Sequence, residues 1–271
     1  MGYNLRVTLV RRPKLGQHFL SSEGYRRRIA EALPFRGDEL VIEVGPGHGA
    51  MTGLLAERAG RVVAVELDPA LASELRETHE SSNRVEILEG DILSTDIAAI
   101  CRGRRATTCF VFGNLPYYIT SPIIHHLMNS ARIIQGMALL MQHEVAERLT
   151  AKPGSRDYGY LSVLVQVHSE PRIAMGVPPG AFSPPPKVHS SLVDFLMKPR
   201  LSAWTEEERE EFLKFVQRCF AQKRKNLLNN LAQTHGKGRI REALEIMRLP
   251  ATARAEELSV EQFELLSKGV S

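Results

Sequence analysis

Apolar residues along this chain fall into two rhythms that change near residue 155. In the first part, short apolar runs alternate with segments of helical spacing. Leu40-Val-Ile-Glu-Val-Gly45 is such a run ending at a glycine, the mark of a buried parallel strand entering a tight turn. A helix is expected from about Ala50 to Glu57, and Arg61-Val-Val-Ala-Val-Glu-Leu-Asp68 reads as a second strand. Pro69 suits the first turn of the following helix, with Asp68 as its cap. Residues 85–91, 108–114 and 136–141 read as three more strands, and a helix is expected through 144–149. The alternation predicts βαβ units and a mainly parallel sheet with helices on both faces.

Beyond residue 155, the run at 160–167 suits helix and strand equally. Residues 172–177 and 191–196 look like strands bracketing the stiff Phe182-Ser-Pro-Pro-Pro-Lys187, an arrangement expected to form an antiparallel edge hairpin. After Pro199 helical signals take over. Thr205 with Glu208 makes a capping box, Gly236-Lys-Gly238 is expected to break the helices, and Ser259 with Gln262 opens the last one. The expected organisation is a basic N-terminal arm over 1–24, an α/β domain over 25–199 and a small all-helical domain over 200–271.

Composition narrows the class. The 271 residues are 43% hydrophobic and 24% charged, within the ordinary globular range. No apolar run approaches the ~20 residues a membrane span needs, and the N-terminus lacks the pattern of a signal peptide. Cys101, Cys109 and Cys219 are an odd, scattered set, which points to a reducing compartment and a cytoplasmic protein. The net charge of +4 is unevenly laid out. Residues 1–36 carry eight basic residues against two acidic ones, whereas 37–200 carry fifteen against eighteen. Basic residues bunch again at Lys223-Arg-Lys225 and at Lys237, Arg239 and Arg241. Basic flanks around a near-neutral middle suit a body that binds a small ligand and edges that grip a polyanion. Solvated helix faces would give the same runs.

Candidate chemistry lies at the strand ends. In Glu43-Val-Gly-Pro-Gly-His-Gly49, Gly45, Gly47 and Gly49 allow a sharp turn and close approach to a ligand, beside the N-terminus of the next helix. The loop also meets the loose dinucleotide fingerprint, so a nicotinamide enzyme stays open at this point. Glu66 ends the second strand, placed to grip two ribose hydroxyls, and Asp91 ends the third, placed to accept from an adenine amine. A capping aspartate is the ordinary alternative for Asp91. His48 has no partner in the sequence and reads as a loop residue.

Asn114-Leu-Pro-Tyr117 is the sharpest signal. An exocyclic adenine amine is a poor nucleophile because its lone pair is delocalised into the ring. Accepting both of its N–H groups localises that pair. The Asn114 side-chain oxygen and the Leu115 carbonyl, freed where Pro116 bends the chain, can do this, and Tyr117 offers a face to an extruded base. Such chemistry needs positioning and hydrogen-bond polarisation, and no metal. Phe182 is either a second stacking wall or a core anchor.

These motifs, together with Leu15-Gly-Gln-His-Phe-Leu20, Phe182-Ser-Pro-Pro-Pro-Lys-Val188, Gln222-Lys-Arg-Lys-Asn-Leu227 and Leu258-Ser-Val-Glu-Gln-Phe263, occur in the order of one enzyme group. Over roughly residues 12–267 the chain resembles the ribosomal small-subunit (16S) RNA adenine dimethyltransferases, the KsgA/RsmA family. The resemblance implies a Rossmann-like class I fold, with a seven-stranded sheet. It also implies dimethylation of two adjacent adenines in the 3′-terminal hairpin loop of 16S rRNA during small-subunit maturation. S-adenosyl-L-methionine (SAM) would be the methyl donor and S-adenosylhomocysteine the product. By that likeness His18, Leu20, Gly45, Gly47, Glu66, Asp91 and Asn114 contact SAM, and Tyr117 and Phe182 hold the flipped base. Arg11, Arg12, Lys14, Lys223, Arg224 and Lys225 would grip rRNA or the immature 30S subunit, and the enzyme would act as a monomer away from any membrane. His18 stands where the family more often has Asn, and Lys223-Arg-Lys225 where it more usually has Arg-Arg-Lys.

The nearest alternative is the macrolide-resistance type of 23S rRNA adenine methyltransferase, which shares the Asn-Leu-Pro-Tyr segment. A non-catalytic RNA-binding assembly factor would not need Asn114, Pro116 and Tyr117, and a nicotinamide dehydrogenase leaves them unexplained.

Overall fold

The computed structural model describes residues 17–201 and 203–270. It opens with a two-residue strand, β1 (Phe19–Leu20), and a helix, α1 (Glu23–Ala32). Strands and helices then alternate as the apolar runs predict: β2 (Leu40–Val44), α2 (Thr52–Arg58), β3 (Arg61–Glu66), α3 (Pro69–Thr78), β4 (Val85–Glu89), α4 (Ile97–Gly103), β5 (Cys109–Asn114), α5 (Thr120–Asn129), β6 (Ile134–Gln142) and α6 (His143–Thr150). The Asp68 side chain caps α3 by accepting from the Ala70 amide at 2.8 Å. Next come α7 (Tyr160–His168), β7 (Ser169–Val177), β8 (Phe182–Ser183) and β9 (Ser190–Met197). Four helices close the chain: α8 (Glu206–Cys219), α9 (Leu227–His235), α10 (Lys237–Ile246) and α11 (Val260–Val270).

The main sheet has seven strands in the order β4-β3-β2-β5-β6-β9-β7. The first five are parallel, and β9 lies antiparallel between β6 and β7. The expected edge hairpin is thus present, and its long connection carries β8, which pairs with β1 as a separate ribbon. Alternate residues of each central strand feed two apolar layers. Leu40, Ile42 and Val44 join one, while Val41 joins the other, under α1 and α2.

The 160–167 segment is a helix. It packs against α5, α6, α8 and α11, so apolar residues surround most of it and no periodicity shows in the sequence. Only Gly236 separates α9 from α10, because it alone takes a positive φ (71°); Gly238 lies inside α10. The expected arm boundary at residue 24 falls in the first turn of α1. The chain is tied down before that point by β1–β8 pairing and by the Ser21 and Ser22 amides donating to the Ala181 carbonyl. Residues 1–16 lie outside the described residues. The C-terminal helices share one continuous apolar cluster with a face of the sheet, in which Val163 and Val167 of α7 meet Phe212, Val216 and Phe263.

Candidate active site

Strand β2 pairs with β3 on one side and with β5 on the other, so the chain reverses its winding between β2 and β5. In open α/β sheets a ligand crevice forms at the carboxyl ends of such a pair. Gly45 follows β2 there, and Asn114 ends β5. Glu66, at the end of β3, and Asp91, just past β4, lie on the same rim.

The glycine loop is shaped for close approach. Gly45 and Gly47 have φ of 62° and 60°, conformations that L side chains rarely adopt. A Cβ on Gly47 would sit 2.7 Å from the Phe19 ring, which therefore requires hydrogen at that position. Nothing lies within 4 Å of a Cβ built on Gly45, which faces open space. Glu66 is 2% exposed and organises the loop: its carboxylate accepts from the Gly47 amide at 3.0 Å and from the Asp68 amide at 2.9 Å. Each oxygen takes one bond, which leaves acceptor capacity on both.

Beneath it lies a second buried carboxylate, Glu43, which accepts from the Thr52 hydroxyl at 2.7 Å. Burial pushes its pKa up to about 7; the Thr52 bond opposes the shift and the Glu66 charge adds to it. Asp91 does cap a short 3₁₀ turn, with one oxygen accepting from the Leu93 amide at 2.9 Å. Its other oxygen has no hydrogen-bond partner among the described residues.

Asn114 is fixed from an unexpected side. Its amide nitrogen donates to the main-chain carbonyl of His18 at 2.9 Å, leaving the side-chain oxygen as a free acceptor. The His18 ring in turn donates to the Pro184 carbonyl at 2.8 Å, just past the cis Ser183–Pro184 bond, and lies 5.4 Å from the Tyr117 ring. The next carbonyls diverge in their roles. That of Pro116 accepts from the Ile119 amide and the Thr120 hydroxyl, whereas that of Leu115 accepts no bond among the described residues. Leu115 is otherwise locked, with its side chain buried and its amide donating to the Leu140 carbonyl at 2.9 Å. The Tyr117 hydroxyl lies 2.6 Å from that of Ser190, and partial burial raises the phenol pKa while the Ser190 bond opposes the shift.

The structure thus brings His18, Gly45, Gly47, Glu66, Asp91 and Asn114 to one rim, with Leu115, Pro116 and Tyr117 beside them. Two residues stand apart: Leu20 is 2% exposed, with its side chain in the apolar layer behind the rim, and the Phe182 ring lies in that same layer. Phe182 is 4% exposed among Leu20, Leu140 and Leu192, so its ring is a core anchor and offers no face to a base. Spacing could not separate these two roles; its register opposite Leu20 in the β1–β8 ribbon does. His48 is a loop residue, 3.2 Å from Glu74. Lys223, Arg224 and Lys225 are exposed in the turn between α8 and α9, where Lys223 donates to the Arg156 carbonyl. Arg11, Arg12 and Lys14 fall outside the described residues.

Sequence reasoning gave no role to Glu43 or Ser190. An acid inside an apolar strand run was the available sign for Glu43. Ser190 is buried at the start of β9 and carries no local signal. Among the described residues no His, Cys, Asp and Glu side chains cluster for a metal ion, and no helix is long and apolar enough to cross a membrane. Cys101, Cys109 and Cys219 are buried and free.

A Rossmann-like sheet with an edge hairpin, a glycine loop at the switch point, an acidic strand end beside it and the Asn114–Tyr117 segment is the arrangement of a methyltransferase, the class to which the motifs point. Comparison with known proteins gives the family. The profile for Ribosomal RNA adenine dimethylase matches residues 9–270. The Ribosomal RNA small subunit methyltransferase A of Acidobacterium capsulatum is 45% identical over 259 residues, covering 94% of this chain and 89% of that protein. Its counterpart from Koribacter versatilis is 40% identical, covering 93% and 92%. Among solved structures, the 23S rRNA methyltransferase ErmE aligns with a TM-score of 0.71 at 27% identity, covering 93% of this chain and 99% of that one. A dimethyladenosine transferase from Plasmodium falciparum shares the fold, with a TM-score of 0.75 at 24% identity and coverage of 93% and 98%. The chain belongs to the ribosomal RNA adenine dimethylase family, as its motifs lead one to expect.

Methyltransferases of this family use SAM, and the rim suits its adenosine half. The loop leaves open space over Gly45, Glu66 keeps spare acceptors for hydroxyls, and Asp91 keeps one for an amine.

Proposed function

We propose that this chain transfers methyl groups from SAM to N6 of two adjacent adenines in the 3′-terminal hairpin loop of 16S rRNA. The observation that carries this reading is the tether of the Asn114 amide to the His18 carbonyl. It points the functional ambiguity of an asparagine one way: the nitrogen is engaged, so the oxygen is the group left for substrate.

Gly45 and Gly47 form the floor for the methionine portion, with His18 and the main chain of Leu20 beside it. Glu66 holds the ribose hydroxyls, and Asp91 accepts from the adenine of the cofactor. When bound, SAM supplies an electrophilic methyl group on a sulfonium. The Asn114 oxygen and the Leu115 carbonyl accept the two N–H bonds of the target amine in the first transfer, and one of them accepts the single N–H left for the second. This draws the lone pair out of conjugation and toward the crevice, and each transfer leaves a nitrogen cation that releases one proton to water. Pro116 sets the bend that frees the Leu115 carbonyl. Tyr117, steadied by Ser190, stacks on the flipped base. Phe182 contributes indirectly, by anchoring β8 and through it β1. Positioning supplies the remainder of the rate.

Lys223, Arg224 and Lys225, with Arg11, Arg12 and Lys14, contact RNA phosphates. The partner is the immature 30S subunit, met by a monomer in the cytoplasm, and the product left behind is S-adenosylhomocysteine. On the expected division, catalysis falls to the α/β domain together with His18 and Leu20 of the arm, and RNA grip to the basic residues of the arm and of the helical domain. Relatives named as small-subunit enzymes, together with the basic turn after α8, favour this reading over a 23S substrate.

The test is mass spectrometry of rRNA after incubating unmodified 30S particles and, separately, 50S particles with the enzyme and SAM. Dimethyladenosine at two neighbouring positions of the 16S 3′ hairpin is expected. Modification of 23S rRNA alone would replace this reading with the macrolide-resistance type.

A further inference from the structure

The 3₁₀ turn that follows Pro116 carries two tyrosines with opposite fates. Tyr117 is half-buried, bonded to Ser190 and packed near the His18 ring. Tyr118 is 56% exposed, and its side chain makes no hydrogen bond or ring contact among the described residues. The other exposed large apolar residues are all aliphatic, Leu67 and Val188 in loops and the rest along helices or strands, so an uncovered aromatic ring at this rim stands apart. The bond from Tyr117 to Ser190 also brings the chain just before β9 alongside, and there Lys187 and His189 are exposed.

Extruding a base from an RNA strand leaves the next base without a stacking neighbour on that side, and aromatic side chains commonly take its place. We propose that Tyr118 is a second stacking platform, which receives the unpaired base flanking the target adenine while Lys187 and His189 meet the adjoining phosphate. This rests on the reading of Asn114–Tyr117 as the target-base site. It extends that site by one nucleotide, a single-stranded base recognised through its π face and not through its hydrogen-bonding edge. Tolerance of sequence at the flanking position follows from this, as does a loss of grip if the ring is removed.

The experiment uses the full chain with SAM and a small-subunit hairpin RNA that carries 2-aminopurine either beside the target adenine or in its place. Wild type, Tyr118→Ala and Tyr118→Phe are compared by fluorescence and by binding affinity. With wild type and Tyr118→Phe the flanking probe should be quenched on binding. With Tyr118→Ala that quenching should disappear and affinity should fall about tenfold, the scale of one lost base–aromatic stack. The probe in the target position and the affinity for SAM should respond as in wild type, which shows that the crevice is intact. Unchanged quenching and affinity in Tyr118→Ala would overturn the platform while leaving the target-base site standing. Failure of Tyr118→Phe to quench would overturn it as well, because stacking does not need the hydroxyl. Failure of the wild-type enzyme to bind or methylate the hairpin would overturn both readings together.

Discussion

Both edges of the seven-stranded sheet carry charged side chains, but they employ them differently. The edge where the parallel strands begin holds a groove of about 1140 Å³ lined by Leu40, Arg61, Phe110 and Gly136 and by several arginines. Several charges there are answered within the protein. Arg172 pairs with Asp194 at 3.0 Å, Arg104 with Glu86, and Glu39 accepts the Arg36 and Gly37 amides. At the opposite edge Glu66, Asp91 and Asn114 are each held by a backbone partner and each keeps an acceptor unfilled. A hollow is therefore not by itself the mark of a reactive site. Groups that are fixed in place yet incompletely bonded are the better mark, because they are preorganised for something that arrives.

The sharpest way to break this contrast is Asn114→Ala. Transfer should fall by about a thousandfold in single-turnover methylation while SAM affinity, read by calorimetry, stays within about tenfold. Retained turnover would remove the amide from the chemistry.

Glu43→Gln tests the buried carboxylate beneath the same edge. The folded-state pKa of Glu43 is raised to about 7 from an ordinary 4.5, so the native state holds the proton more tightly than the unfolded chain. Its contribution is then complete below pH 4.5 and is lost as pH rises through 7. Glutamine keeps the size and an acceptor for Thr52 but cannot ionise, so urea titrations between pH 5 and 8 should lose a downward slope of up to about 3 kcal/mol. His168, beneath the C-terminal helices, has the reverse sign. Burial first, then Arg209 and His125, lower its pKa to about 4, so its contribution is present above pH 6.5 and is lost as pH falls toward 4.

Replacing Lys223, Arg224 and Lys225 by Ala should weaken hairpin binding and flatten its salt dependence, each lost phosphate contact taking about 0.9 from the logarithmic slope. An unchanged slope would mean that this exposed turn faces away from RNA. The smallest effect is expected at the far edge. Arg172→Ala should cost less than about 1 kcal/mol in denaturant titration, because its own side chain is 78% exposed. Methylation should hold within about twofold, since the change touches no part of the rim. A large loss of activity there would give the groove a function and undo the contrast.

Most of the sheet was legible because each central strand is a continuous apolar run ending in glycine, acid or asparagine. Glu66, Asp91 and Asn114 could be assigned to one rim for the same reason: parallel strands place their C-terminal ends together. What escaped the sequence depends on contacts between distant segments. Helix α7 is enclosed on most sides and so lost the periodicity that would have identified it. The Phe182 ring turned inward because of its register with Leu20, which spacing does not encode. His18 reaches Asn114 through a main-chain oxygen, a group every residue possesses, and so left no trace in residue type.

The pairing of β1 with β8 joins residues 19–20 to 182–183. A chain emerging from the ribosome makes the first of these segments early and must wait for more than half its length before the second appears. Until then the His18 carbonyl, which accepts from Asn114, has no ribbon beside it. On the reading proposed for Asn114, competence is then a late event in synthesis: a nascent or truncated chain that ends before β8 carries every residue of the glycine loop and of Asn114–Tyr117, yet lacks the pairing that holds His18 beside them.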